Sequence, residues 1–567
     1  MKSAILLGTA CLTVAVLHGS QSVPRRAEPF VPVAVSYRIE PARDRARTSA
    51  DLESIQALGF NSVRVPVEWT TTEPARGEYQ FDALDRTLAL AGQSGLKVIL
   101  SLETASPPGW LIRRHPDGRF VSDAESAGTR LERACLDHPG VRADVEAYVG
   151  AVTSRAAGHA AWQALDLGSD LPDGFCLCQH TERRFRGWLK ATFGSESRPP
   201  ARAASDRAAF VALDRADQLG LLTAAASARG AKLSMSSVRA PSVLRQLLGG
   251  PPGQDDWLMT TVVDHAGTRV PPDAGSAANL TPPQLALGLD GIRSASRDKG
   301  WLMTLGAPLR PPPDDRLWTW AALARGARGV VYGDWRASLS SSSDGSPTDR
   351  ARAAGTLARV IGRNPALFAP LRPRAAQVAI AYDPRTPAAG PASAALANVY
   401  RVLFERNIQA DFIHIDEVAA GLASRYALVF VDSLSTLPEA ASGALQAFAA
   451  AGGTFVSRAV PAPTGQQVVQ LLARARVVPE VRIEGATGPV ETRFLESSDV
   501  LMLIGLNHAD TPQRVTLTFT PDTQEAIWQN METGSAVNFV AGPEGPTYTY
   551  SFAPRDALVL MIRKSVR

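Results

Sequence analysis

The chain has 567 residues, of which 45% are hydrophobic and 20% charged, and its formal net charge is +4. A chain of this length does not fold around one core, so we expect two to four domains. The small net charge and the lack of a dense run of Lys and Arg argue against nucleic-acid binding.

The N-terminus has the layout of a secretory signal peptide. Lys2 is followed by an apolar run from Ala4 to Leu17 and by small and polar residues to Ser22. The run is shorter than the roughly 20 residues that span a bilayer, which argues against a membrane anchor. We therefore expect residues 1–22 to be removed and the protein to be periplasmic or extracellular, without a membrane span. A lipoprotein cleaved before Cys11 is the alternative.

Eight short, mostly apolar runs follow, separated by helical patterns. Such runs are typical of strands buried on both faces of a parallel sheet. They are Val33–Tyr37, Ser62–Val67, Lys97–Leu102, Ala164–Gly168, Leu233–Ser237, Leu258–Val263, Trp301–Leu305 and Val330–Gly333. Their order predicts a (β/α)₈ (TIM) barrel over residues 23–372, and a doubly wound sheet is the competing arrangement.

Near Arg372 the pattern restarts. Four more strand-like runs and helices at Ser393–Glu405 and Glu439–Ala450 predict a small flavodoxin-like α/β domain over residues 373–476. No GxGxxG follows its first strand, so we expect no dinucleotide site. From Val477 onward, alternating runs such as Val515–Phe519 predict a C-terminal β-sandwich over residues 477–567.

Three cysteines remain after removal of the leader: Cys135, Cys176 and Cys178. An odd number of thiols in an exported protein predicts one disulfide and a spare thiol, or a metal site.

Several segments together resemble glycoside hydrolase family 42, the β-galactosidase group of the large barrel glycosidase clan. They match its second strand and following loop, its third-strand loop, the Cys-rich stretch after strand four and its last βα unit. These segments are Gly59–Trp69 with Glu73–Pro74 and Gly77–Phe81, Thr104–Leu111, Cys176–Cys178 with Phe185–Lys190, and Arg316–Trp320 with Ala324–Arg336. The resemblance implies a carbohydrate substrate, chemistry without a cofactor, and a homotrimer assembled through the α/β domain.

The two catalytic positions implied by the resemblance are altered. Retaining hydrolysis needs two carboxyl groups about 5 Å apart. Asp170 aligns with the family's acid/base Glu but is one methylene shorter. Thr304 aligns with the nucleophile, and a slip of one residue gives Met303 or Leu305, so no carboxylate stands there. A solvated loop acid is the alternative interpretation of Asp170.

Other acids at strand ends could take part. Glu103 and Asp264 follow the predicted third and sixth strands, where barrel enzymes carry their catalytic groups. An inverting pair of Asp170 with either acid tolerates a separation of about 6.5–9.5 Å. Sugar binding or a salt bridge to Arg64 is the alternative. A catalytic role for Glu103 or Asp264 predicts a raised pKa in that acid.

The candidates for substrate binding combine one cation, two hydroxyls and three aromatic rings. Arg64 matches the family's strand-two Arg, and Ser169 stands where an Asn binds a sugar hydroxyl. Tryptophans can stack on a sugar ring, but they also pack loops, and Arg64 could form an ion pair instead. The set is Arg64, Trp69, Trp110, Ser169, Thr304 and Trp335.

The cysteines resemble three of the family's four zinc ligands. The fourth position falls near Thr181, and His180 could substitute because zinc accepts imidazole. The resemblance thus implies a structural zinc on Cys135, Cys176, Cys178 and His180. A disulfide from Cys135 to one of the other two cysteines is the rival.

These observations predict an exported β-galactosidase-like glycoside hydrolase with low or altered activity. The alternative is a non-catalytic carbohydrate-binding or assembly protein on a degenerate glycosidase barrel.

Overall fold

The computed structural model describes residues 30–104, 106–122, 133–168, 171, 174–250, 253–269, 280–306, 314–385, 391–431, 437–457, 463–519 and 528–564. The predicted leader, Ser169 and Asp170 lie outside these residues. Within the described ranges, no helix is both long and apolar enough to cross a membrane.

The first part of the chain forms a closed parallel barrel. Each strand pairs with the next, and the eighth pairs with the first, which confirms the predicted barrel and excludes a doubly wound sheet. The strands are β1 (Val33–Ser36), β2 (Ser62–Glu68), β3 (Lys97–Glu103), β4 (Trp162–Asp166), β5 (Ser234–Val238), β6 (His265–Arg269), β7 (Gly300–Thr304) and β8 (Gly329–Asp334).

The α-helices around the barrel pack their apolar faces against the strands. They are Arg45–Leu58, Trp69–Thr72, Asp82–Gln93, Gly109–Arg114, Pro139–Ala157, Gln179–Phe193, Ala203–Ser227, Ser242–Leu247, Asp256–Thr261, Pro282–Ser296, Asp315–Leu323, Asp349–Gly362 and Pro365–Phe368. The first ends at Gly59 in a left-handed conformation (φ +107°), where a Cβ would lie 2.4 Å from the side chain of Arg359. Glycine therefore allows the sharp turn that leads the chain into β2.

One predicted strand is wrong. Leu258–Val263 belongs mainly to the helix Asp256–Thr261, whose first turn is capped because the Asp255 carboxylate accepts a hydrogen bond from the Leu258 N–H (3.1 Å). A short apolar run does not distinguish a buried helix from a strand. The true sixth strand, His265–Arg269, was missed because it is mostly polar.

The second domain is a four-stranded parallel sheet in the order β11-β10-β12-β13. Its strands are β10 (Val378–Tyr382), β11 (Ala410–His414), β12 (Leu428–Val431) and β13 (Thr454–Ser457), and its helices are Pro391–Glu405, Ile415–Ala419, Glu439–Ala450 and Gly465–Arg474. This order is that of a flavodoxin-like sheet.

The C-terminal domain has two antiparallel sheets with an apolar cluster that draws on both. One contains β14 (Val481–Glu484), β17 (Gln513–Phe519) and β20 (Thr547–Phe552). The other has the order β19 (Ala536–Val537), β18 (Trp528–Asn530), β21 (Ala557–Arg563), β16 (Val500–Asn507), β15 (Val490–Glu496) and β9 (Arg372–Pro373). Because β9 directly follows the barrel, the barrel is anchored to this sheet.

A buried ion network joins the barrel to both later domains. The Arg325 guanidinium lies 2.9 Å from Glu491 and 3.3 Å from Asp290. Tyr400 of the second domain donates to Asp290 (2.5 Å), and His508 lies 2.9 Å from Glu491. Burial alone would raise the pKa of Glu491, but the nearby arginines hold it well below its ordinary value.

Candidate active site

A buried ion pair forms the floor of the barrel mouth. Arg64 on β2 donates from Nη2 to Ser101 Oγ on β3 and to Asp166 Oδ2 on β4, both at 2.8 Å. Asp166 has no exposed surface, and its other oxygen accepts from the Ser237 N–H on β5 (3.0 Å). Arg64 is only 9% exposed. It therefore ties the strands together below the mouth, as the ion-pair alternative predicted, and its contact with a sugar stays a prediction.

Two glutamates lie above this floor. Side chains alternate between the faces of a strand, so Glu68 points to the same inward face as Arg64, and Glu103 to the same face as Ser101. Glu68 and Glu103 are the last residues of β2 and β3, and they are partners in the register of the two strands. Their side chains thus stand next to each other at the C-terminal end of the barrel.

The two carboxyl groups have different surroundings. Burial raises the pKa of Glu103, and the negative charge of Glu68 raises it further, against the opposing effect of Arg38 and Arg64. Glu68 is paired with the Arg38 guanidinium at 2.5 Å. One acid therefore tends to keep its proton while its neighbour lies against a cation, which is the arrangement that separates acid from base in glycosidases.

The backbone of Arg38 is held from the neighbouring strand β8. Its carbonyl accepts a hydrogen bond from Arg336, which follows β8. Arg336 also pairs with Glu40 and lies over the Tyr37 ring at 5.1 Å. Strands β1, β2 and β8 thus jointly place the cation beside Glu68.

The end of β7 offers a hydroxyl instead of a carboxylate. Thr304 shares the inward face of Leu302, which belongs to the interior cluster of the barrel, and its register partner on β6 is Arg269. Met303 and Leu305 are buried in the core around the barrel. A slip of one residue therefore brings no other side chain of this strand into the mouth.

Asp264 was predicted to be catalytic, and this is wrong. It precedes β6 instead of following the sixth strand, so it lies at the end of the barrel opposite the mouth. Its Oδ2 accepts hydrogen bonds from the N–H and the hydroxyl of Ser234, both at 2.8 Å, at the start of β5. The misplaced sixth strand is the cause of this error.

Two of the three tryptophans proposed to stack on a sugar are core residues. Trp69 and Trp335 have no exposed surface. Trp69 stacks on Tyr148 with the ring centroids 4.8 Å apart and donates its N–H to Glu73. The packing alternative is therefore correct for these two. Trp110 is half-buried, packs edge-on against Trp69 at 6.1 Å, and can present only its outer part to a ligand.

Comparison with known proteins agrees with this architecture. Residues 37–200 match the model of the family described as beta-galactosidase, glycoside hydrolase family 42. The match covers the first half of the barrel, from the residue after β1 to the segment after β4. The resemblance found in the sequence motifs is thereby confirmed.

The alignments with curated relatives cover only part of each relative's length. Beta-galactosidase BgaA of Thermus sp is 26% identical over 350 residues, which are 52% of this chain and 53% of the relative. Beta-galactosidase BgaH of Haloferax lucentense is 31% identical over 160 residues, 27% of this chain and 24% of the relative. The chain thus spans about half the length of the first relative and about a quarter of the second.

Solved structures share the fold over nearly the whole chain. The beta-galactosidase from Bacillus circulans sp. alkalophilus has a TM-score of 0.74 at 14% identity and covers 94% of this chain and 99% of its own. The beta-galactosidase from Rahnella sp. R3 has a TM-score of 0.72 at 16% identity, with 95% and 99% covered. An exo-carrageenase from Bacteroides ovatus has a TM-score of 0.64 at 12% identity, with 94% and 82% covered. At these identities the likeness concerns the fold.

The three cysteines implied as zinc ligands by the family resemblance lie together beside the mouth. Their sulfurs are mutually within 4.8 Å, and Cys135 and Cys178 are 3.5 Å apart, with all three thiols free. The Thr181 hydroxyl lies 3.3 Å from the Cys135 sulfur and 3.4 Å from the Cys178 sulfur. The Thr181 hydroxyl thus lies at the fourth position of the cysteine cluster, where it donates a hydrogen bond to Asp137 (2.5 Å).

His180 is turned away from the sulfurs, so its predicted role as their fourth ligand is wrong. Its Nε2 lies 3.0 Å from Asp117, whose other oxygen is 3.3 Å from His138 Nε2. This second cluster does not suit a metal ion, because His138 Nδ1 accepts from the N–H groups of Gly140 and Val141, both at 3.1 Å. The ring proton must then be on Nε2, which leaves that nitrogen no lone pair for a metal. His138 instead caps the helix Pro139–Ala157.

Proposed function

We propose that the protein is an exported glycoside hydrolase that cleaves β-galactosides in the barrel mouth. The observation that carries this proposal is Glu103, an inward-facing carboxyl at the end of β3 with a raised pKa. Hydrolysis of a glycoside needs an acid that still holds its proton when the leaving oxygen departs. The relatives named as beta-galactosidases support the choice of sugar.

Glu103 takes the role that Asp170 was expected to have. Strand β4 ends at Asp166, four positions before Asp170 in the sequence, and the described acid of that strand, Asp166, is fully occupied by Arg64 and the Ser237 N–H. Glu103 is half-buried at the mouth, so it can reach a substrate oxygen. Burial and the negative charge of Glu68 raise the pKa of Glu103, which is the direction that an acid catalyst requires.

The test is release of 4-nitrophenol from a panel of 4-nitrophenyl glycosides by the mature protein. Glu103→Gln keeps the shape of the side chain and removes the acid, so we expect turnover of the β-galactoside to fall about 10²–10⁴-fold. Glu78→Gln, an exposed glutamate in the turn after β2, is the matched control and should retain full activity. Full activity of Glu103→Gln would overturn this assignment.

Carbohydrate binding without turnover is the second candidate, because the end of β7 carries Thr304 where a family nucleophile is expected. The same panel separates the two functions. If no glycoside is cleaved but galactose or a galactoside binds with a measurable heat, the protein is a binding protein.

We further propose that Cys135, Cys176 and Cys178 hold a structural zinc ion. Zinc–sulfur bonds of about 2.3 Å place two sulfurs of a tetrahedral site about 3.8 Å apart, close to the observed separation of Cys135 and Cys178 (3.5 Å). Such an ion would join the loops that follow β3 and β4 and would take no part in bond cleavage. Metal analysis should find one zinc per chain that is lost in Cys176→Ser. Two thiols missing in a thiol titration of the metal-free protein would support the disulfide instead.

Export and assembly complete the proposal. The apolar run Ala4–Leu17 supports export to the periplasm or beyond, and the family resemblance supports a homotrimer formed through the α/β domain. Cell fractionation and sedimentation of the mature protein test these two predictions.

A further inference from the structure

A hydrolase that uses Glu103 as its acid needs a second carboxylate. Thr304 stands where the family resemblance places that group, and Asp264 lies at the wrong end of the barrel. Among the described strand ends, Asp334 is engaged in capping the turn after β8, where it accepts the N–H groups of Arg336 and Ala337. Asp166 is buried in its ion pair with Arg64.

We infer that Glu68 is the second catalytic carboxylate and attacks the anomeric carbon, so that the enzyme retains the configuration of the sugar. This inference rests on the proposed function of Glu103. Sequence reasoning did not single out Glu68, although it stands in the Val-Pro-Val-Glu-Trp segment after Arg64. The sequence pattern that could have identified Glu68 is the alternation of faces along β2. Glu68 stands four residues after Arg64, so both side chains point to the inside of the barrel.

The spacing of the two acids favours retention. Register partners on neighbouring parallel strands lie about 4.8 Å apart and project the same way. Glu68 and Glu103 hold that relation at the last position of their strands. Retaining enzymes separate their carboxyl groups by about 5–5.5 Å, whereas inverting enzymes need about 6.5–9.5 Å to fit a water molecule. The backbone spacing of these neighbouring strand ends is therefore closer to the shorter distance.

The charges around Glu68 and Glu103 suit one to act as the nucleophile and the other as the acid. Glu68 is 35% exposed in its side chain and lies against Arg38, so it is reachable and stands beside a cation. Glu103 is half-buried, and the charge of Glu68 adds to the burial that favours its protonated form. A carboxylate nucleophile next to a protonated acid is the pattern that glycosidases use.

The reaction then proceeds in two balanced steps. A Glu68 oxygen forms a bond to the anomeric carbon while the bond to the leaving oxygen breaks, and the Glu103 proton passes to that oxygen to release an alcohol. Water then attacks the same carbon, gives its proton to the Glu103 carboxylate, and displaces Glu68. The products are the free sugar in its original configuration, the alcohol and the enzyme with both carboxyl groups restored.

The direct test is to trap the intermediate on the wild-type protein. A 2-deoxy-2-fluoro-β-D-galactoside with a dinitrophenyl leaving group slows the second step, so peptide mass spectrometry after digestion should find one fluorogalactosyl ester, on Glu68. An ester on another residue, or an inverted product seen by proton NMR during turnover of the ordinary galactoside, would overturn the assignment of Glu68 alone. Complete lack of turnover on every glycoside would remove the proposed function and this inference with it.

Variants supply an independent readout. Glu68→Ala should lose at least about a thousandfold in turnover, and sodium azide should restore part of it and yield the α-galactosyl azide. In Glu103→Ala, azide should instead yield the β-galactosyl azide, because the ester on Glu68 still forms. Rescue by azide also shows that each variant is folded. Turnover of Glu68→Ala within threefold of wild type would contradict the inference while leaving Glu103 in place.

Discussion

The ion pair below the mouth allows a quantitative prediction about stability. Asp166→Asn preserves the size of a fully buried side chain but removes the charge that faces Arg64, itself 9% exposed. Breaking one partner of a buried pair costs about 3–5 kcal/mol, because the remaining charge stays buried without compensation. For a domain of this size, 1 kcal/mol corresponds to about 2 °C, so the barrel transition should fall by about 6–10 °C.

Scanning calorimetry of the mature protein measures this shift. The double variant Arg64→Met with Asp166→Leu replaces both charges by apolar groups of similar volume, and it should recover most of the loss because such replacements are often neutral. A melting temperature of Asp166→Asn within about 1 °C of wild type would contradict the buried-pair argument. So would a double variant that melts as low as the worse single variant.

Three further predictions concern electrostatics. Arg38→Met removes a charge that lowers the pKa of Glu103, so the alkaline limb of the kcat/KM profile should move to higher pH; a shift to lower pH would contradict this. Burial alone would lower the pKa of His414, but its contact with Asp255 (3.2 Å) raises it overall. That contact therefore stabilises the protein fully below the pKa of about 6.5 that His414 has in the unfolded chain. The stabilisation is lost as the pH rises through the higher pKa of His414 in the folded protein. The melting temperature of wild type should therefore fall more between pH 6 and 9 than that of His414→Asn. Glu491→Gln removes one of the two buried carboxylates that face Arg325 and Arg493, and it should cost about 3–5 kcal/mol in urea unfolding. A cost below about 1 kcal/mol would show that the network contributes little.

The barrel was predictable because most of its strands are short apolar runs buried on both faces, and helices with clear spacing separate them. The sixth strand was not, because His265–Arg269 carries few apolar residues, while the neighbouring apolar run forms a capped helix. That single error moved Asp264 from one end of the barrel to the other. Strand boundaries decide which acids reach a mouth, and hydrophobicity alone does not locate them.

The candidate site was predicted only in part. Glu103 was found because it directly follows an apolar strand. Glu68 was not predicted, because the family resemblance places the catalytic carboxylates at the ends of the fourth and seventh strands. Trp69 and Trp335 show the converse limit, since an aromatic residue near a strand end looks the same in sequence whether it faces a ligand or the core. The Thr181 hydroxyl lies beside the sulfurs at the position expected for a fourth metal ligand, whereas His180 contacts Asp117.

The role of Glu103 is tested most directly by the dependence of hydrolysis on the leaving group. Wild type and Glu103→Gln are compared on methyl β-D-galactoside, whose leaving group needs a proton, and on the 2,4-dinitrophenyl β-D-galactoside, whose leaving group does not. An acid at Glu103 predicts a large loss of kcat/KM in the variant on the first substrate, a small loss on the second, and disappearance of the alkaline limb of the pH profile. Equal losses on both substrates, with an unchanged pH profile, would show that Glu103 does not deliver the proton.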